Sequence, residues 1–177
     1  MLASREPHVH ATAISHVAIR GLARNYHRQG GAISSPNVYG PIDYVVIEFP
    51  ADARGEGTAK AIIDLVEQGT IRLYDAAVLR RAADGSGSEI DLATEDGPLA
   101  GLAPLAGARS GMLDADDLEA ASGVLEPNTT ALIIVYENAW AVPFVAAARG
   151  EGGQMVASAR LSAQQIMDTL DAIDARN

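Results

Sequence analysis

The chain has 177 residues, 48% of them hydrophobic but only 5% aromatic, with no cysteine and a formal charge of −10. That length suits one domain with a tail, whose core must be built mainly from Ala, Leu, Ile and Val. Disulfides, thiolate catalysis and cysteine-ligated zinc are excluded, and an acidic surface disfavours nucleic acid and anionic membrane, which are bound through Lys and Arg.

The first segment differs in kind from the rest. Residues 1–37 carry Arg5, Arg20, Arg24 and Arg28 against Glu6 alone, together with His8, His10, His16 and His27. The remaining residues hold 9 basic and 22 acidic side chains, a net of −13. Three readings stand for this leader. It is a basic, nearly acid-free targeting peptide, although it lacks the apolar stretch of a secretory signal. It is an artefact of a start assigned upstream of an initiator at Val38. Or it is a basic arm with Ile14, Val17, Ala18, Gly21 and Leu22 on a weak helical stripe. His8, His10 and His16 have no acidic or sulfur neighbour to complete a metal set, so they read as leader histidines. The domain organisation is therefore an extension over 1–38 and a single domain over 39–177.

Tyr44 to Phe49 is apolar almost throughout, which predicts a central strand buried on both faces and ended by Pro50. Residues 58–68 place Ile62, Ile63 and Val66 on one helical face, with Gly69 as the stop. Ile71 to Leu79 predicts a second strand, and the D-G of RRAADGSGS turns it into EIDLAT, a hairpin over 71–95. Residues 98–111 are irregular or loosely helical. Pro98, Pro104 and Arg109 break this stretch, far short of the roughly 20 apolar residues a bilayer span needs.

Asp114 is placed to cap the next helix, with Asp117 at its third position and Leu113 and Leu118 as a hydrophobic staple. Leu118, Ala121 and Leu125 form its buried stripe, and Pro127-Asn128 ends it. Ala131 to Tyr136 predicts another central strand. Pro143 fixes the start of a short helix near Ala141 or Val142, running to Arg149. Gln154 to Arg160 reads as a returning strand, and Ser162 with Gln165 as a capping box for a last helix carrying Ile166, Leu170 and Ile173 on one face.

Two βαβ units with an inserted hairpin and helix predict an α+β fold, a ferredoxin-like sandwich with its helices on one face; a flavodoxin-like layer is the alternative. A one-sided helical layer leaves the other sheet face open, so a homodimer is expected.

The candidate site residues gather at strand ends. Glu48 and Glu137 each close an apolar run, where α/β sheets place ligands. If the two units were related by a pseudo-twofold, these carboxylates would meet as an acid–base pair or hold a hard cation. The competing reading has each glutamate fastening a neighbouring strand end or helix start. Asn138 and Trp140 offer an amide and an indole N–H beside Glu137, and Tyr44, Tyr74 and Tyr136 would line the same face, with packing as the default for all of them. ARGEGT at 53–58 sits between strand and helix, where backbone N–H groups hold phosphate, but it lacks the spacing of known phosphate loops.

GPIDYVVIEFP at 40–50, GPLAGLAPLAG at 97–107 and ALIIVYENAW at 131–140 together resemble the bacterial domain-of-unknown-function family 6325, which is distantly similar to unknown-function family 1269. The resemblance covers roughly residues 39–175 and omits the leader. It implies that the protein begins near G-P-I-D-Y, and it carries no activity and no catalytic residues across. Family 1269 is often labelled a membrane protein, which the broken stretch 97–113 does not support.

The sequence thus points to a soluble, cytoplasmic, non-enzymatic α+β module that self-associates, as a dimer, in a structural or regulatory role. No cofactor, metal, nucleic acid or membrane span is expected. The alternative is a small-ligand or divalent-metal-dependent enzyme using Glu48 and Glu137 as paired carboxylates.

Overall fold

The structure, a computed structural model, describes residues 38–94, 96–156 and 163–174. The leader and its three readings lie outside these residues. The chain is α+β: β1 (Ile42–Pro50), α1 (Glu56–Glu67), β2 (Arg72–Arg81), β3 (Gly87–Ile90), a 3-10 turn (Ala100–Leu105), α2 (Ala115–Val124), β4 (Thr129–Glu137), a second 3-10 turn (Ala139–Ala141), α3 (Val142–Gly150) and α4 (Ala163–Asp174). The strands form a four-stranded sheet in the order β1-β4-β2-β3, each antiparallel to its neighbour.

This order corrects two expectations. The run at 44–49 is an edge strand, because β4 alone pairs with it. Its apolar residues are only half-buried, whereas Ala131 to Val135 in β4 are at most 5% exposed. A continuous apolar run marks a strand with a covering layer on each face, and an edge strand shares those layers while its outer flank stays open. Nor does the second crossover start at 131–136. The two crossovers are β1-α1-β2 and β3-α2-β4, and each skips one strand. Residues 154–156 are not a strand, and the remainder of the predicted strand, like Ser162 of the predicted cap, lies outside the described residues.

Alternation along the strands divides the core in two. On one face Ala76, Val78, Leu132 and Ile134 meet Ala59 and Ile62 of α1 and Leu99, Leu102 and Leu105 of the 3-10 turn. On the other, Ala77, Leu79, Ala131 and Ile133 meet Ala121 of α2 and Leu125 just after it. Helices therefore cover both faces, and the expected one-sided layer is absent. The chain passes from one face to the other at the end of β3. There Ala108 O accepts from the Ala76 N–H at 2.9 Å and Arg109 bridges to Asp75, beyond the last β3 pair.

Local signals hold where they rest on backbone chemistry. Asp114 Oδ1 accepts from the Asp117 N–H at 3.0 Å while Asp117 Oδ2 accepts from the Asp114 N–H at 3.1 Å, a complete capping box. Leu113 and Leu118, the expected staple pair, both pack against the same core. The hairpin forms, with β3 shorter than EIDLAT because Asp91 turns the chain through the Ala93 N–H. α3 begins at Val142 with proline in its first turn.

Candidate functional site

Glu137 ends β4 and is wholly buried. Its neighbours across the strands are Ile42 of β1 and Arg72 of β2. A buried carboxylate must be supplied with donors, and three arrive. The Gly40 N–H donates to Oε1 at 2.7 Å; Arg72 Nη1 donates to Oε2 at 2.5 Å, and the Tyr74 hydroxyl to the same oxygen at 2.7 Å. Gly40 is required by space here, since a Cβ at this position would collide with the Asn138 carbonyl.

Tyr74 reaches Glu137 through a register shift between Leu73 and Asp75, which bulges β2 at this row. Its phenol is held above the ordinary tyrosine value, first by burial and then by the hydrogen bond it donates to Glu137. The Arg72 guanidinium is also raised, through its hydrogen-bonding contact with Tyr74 and then the Glu137 charge. The hydroxyl remains a donor and the carboxylate an acceptor, so the arrangement is a clamp that ties the Gly40–Pro41 approach and β2 to the end of β4.

Asn138 continues the clamp. Its N–H and Nδ2 both donate to the Pro41 carbonyl, at 2.8 and 3.1 Å, and Nδ2 also donates to Asp43 Oδ2. Trp140 donates its backbone N–H to Thr70 O at 3.2 Å and its indole N–H to Asn138 Oδ1 at 3.2 Å. Its ring is 60% exposed and lies 6.0 Å from that of Phe144, itself 54% exposed.

The structure therefore brings Glu137, Asn138 and Trp140 together and leaves Glu48 at the far end of the sheet. Because β1 runs antiparallel to β4, the row of Glu48 contains Ala131, not Glu137. The paired carboxylates do not meet. Glu48 Oε1 instead accepts from the Glu126 N–H at 2.6 Å and the Thr129 hydroxyl at 2.8 Å, fastening the turn between α2 and β4. Tyr44 and Tyr136 are also on opposite faces, packed with different halves of the core, so the expected tyrosine-lined face does not form. Tyr44 packs against the core on the α2 face, and its pKa is pushed up to about 12 by burial and then by the nearby Asp117 carboxylate.

Arg72 and Tyr74 were not singled out as Glu137 partners, yet a signal existed. A glutamate closing a buried strand needs donors, and R-L-Y places a guanidinium and a phenol two residues apart, on one side of a strand. Asp75 was missed as well. It is 4% exposed, and its Oδ2 accepts from Met112 N–H at 2.8 Å, Leu113 N–H at 3.1 Å and Ser110 Oγ at 3.2 Å. It anchors the segment that changes faces.

The loop before α1 is covered by the chain itself. The Leu99 and Gly101 N–H groups donate to Ala53 O and Arg54 O, at 2.8 Å each, and a Cβ at Gly101 would stand 2.6 Å from Arg54 O and Glu56 N. The glycine-rich turn thus seats directly on the ARGEGT loop at 53–58. Among the described residues, no group of three or more His, Asp or Glu side chains comes together, and no helix is long and apolar enough to cross a membrane. No protein-family profile, curated protein or solved structure matches the chain.

Proposed function

We propose that this chain is a non-enzymatic, self-associating module with a structural or regulatory role in the cytoplasm. The carrying observation is the state of Glu137: wholly buried, it takes donors from Gly40, Arg72 and Tyr74. A catalytic base must reach the proton it removes, and this carboxylate is enclosed by its own chain. Glu48 is likewise engaged with Glu126 and Thr129. The exposed apolar residues support association: Trp140 and Phe144 on one ring pair, and Ile166, Met167, Leu170 and Ile173 on α4, each about half-exposed. The −13 charge of residues 38–177 supports a protein partner over nucleic acid.

The resemblance to family 6325 belongs to this reading and supplies no reaction. The ferredoxin-like assignment is retained for the strand–helix–strand–strand–helix–strand order alone, with the second helix on the opposite face.

The enzyme alternative makes a different forecast for metal. Magnesium or manganese titrated into the protein should leave the fluorescence of Trp140, the sole tryptophan, unchanged. A saturable response lost in both Glu48→Gln and Glu137→Gln would overturn the proposal. Native mass spectrometry at micromolar concentration should show a dimer; a uniform monomer would defeat self-association.

A further inference from the structure

The two edges of the sheet are built differently. β3 is four residues long, GSEI, with Gly87, Ser88 and Glu89 exposed. Glu89 is ion-paired to Arg109, and residues 108–109 cover β2 where β3 stops. These are the usual protections of an edge: shortness, charge and a covering segment. β1 is long, its only charges are Asp43 and Glu48, and among the described residues no strand pairs with its outer edge. It runs nine residues, IDYVVIEFP, without a basic residue, and its pairing with β4 is unbroken from Ile42 to Pro50. Its single proline is the last residue. Phe49 and Val45 on one face and Tyr44 and Val46 on the other each pack against a core and stay only half-buried.

We propose that β1 is the self-association surface, pairing antiparallel with β1 of a second copy so that two four-stranded sheets become one. This deepens the self-association reading above and rests on it. A two-fold axis perpendicular to the sheet keeps each face continuous, so paired residues must share a face. Centred on Val46, it sets every residue of β1 opposite one of the second copy: Val46 on itself, Val45 on Ile47, Tyr44 on Glu48, Asp43 on Phe49. Neither carboxylate then opposes another, and like charges directly opposite are what destabilise such pairs. The added strand also covers the exposed flank of the apolar rows on both faces.

The absence of cysteine makes the register directly readable. Paired residues in antiparallel strands have Cα atoms about 4.5–5.5 Å apart, within the span a disulfide closes. Under mild oxidation, Val46→Cys in the full chain should yield at least tenfold more crosslinked dimer than Ser88→Cys, its counterpart on the protected edge. Val45→Cys and Ile47→Cys should each crosslink poorly alone and well when mixed, with circular dichroism confirming that both remain folded. Equal crosslinking at positions 46 and 88, with native mass spectrometry still showing a dimer, would overturn the β1 interface and leave self-association standing. A monomer that crosslinks at neither position would overturn both. A Val46→Cys crosslink that appears only after residues 1–37 are removed would overturn the proposal by making the leader the occupant of this edge.

Discussion

Glu48 and Glu137 stand on neighbouring strands near opposite ends of the sheet, Glu48 in the row of Ala131 and Glu137 in the row of Ile42. Six residue steps along β1 separate those rows, a distance of roughly 20 Å. The two carboxylates consequently serve different places: one fastens an exposed turn, and the other is the buried end of a clamp.

Removing the buried end should be costly. Glu137→Ala leaves the Gly40 N–H and the Tyr74 hydroxyl without their acceptor, and unsatisfied buried groups cost about 1–3 kcal/mol each. Urea unfolding should show a loss of about 2–4 kcal/mol, built on that per-group cost. Glu137→Gln should recover only part of it, because its amide NH2 faces donors. Glu48→Gln, at an exposed turn, should lose about 1 kcal/mol or less.

Tyr44 makes alkaline stability distinctive. The folded state favours its protonated form, so its contribution is complete below the unfolded value of about 10 and disappears as pH rises through about 12. Denaturant midpoints measured between those values should fall faster for the native chain than for Tyr44→Phe. Tyrosinate absorbance should show one phenol ionising near pH 12 that the variant lacks.

Two glycines should respond with opposite sign. Gly57 lies near the start of α1 with open space around its Cβ position, so Gly57→Ala should stabilise by about 0.5–1 kcal/mol. Gly101→Ala drives a methyl into the backbone of Arg54 and Glu56 and should destabilise by about 1–3 kcal/mol. Thermal unfolding of the two variants side by side checks both.

Asp75→Ala should loosen the segment that crosses between faces. It strips the acceptor from the Met112 and Leu113 N–H groups, so hydrogen exchange over 110–114 should accelerate at least tenfold. Exchange in the β1–β4 ladder should change much less.

What residues 38–177 declare by themselves is local. The Asp114 cap, the proline-set start of α3 and the turn between β2 and β3 are all legible in the sequence. Each involves groups a few residues apart whose geometry the backbone alone constrains. The near-continuous apolar runs also announce strands with a packed layer on both faces.

An apolar run does not name neighbours, however. Tyr44 to Phe49 and Ala131 to Tyr136 look alike in sequence because each is apolar on both sides, and only the pairing order makes one an edge and the other a centre. Strand direction decided that Glu48 and Glu137 are apart, and a bulge at Leu73 and Asp75 brings Tyr74 onto Glu137. These outcomes depend on contacts between residues 60 or more positions apart, as in Arg72 with Glu137. Such contacts are selected by the free energy of the whole core, which no short window of sequence contains.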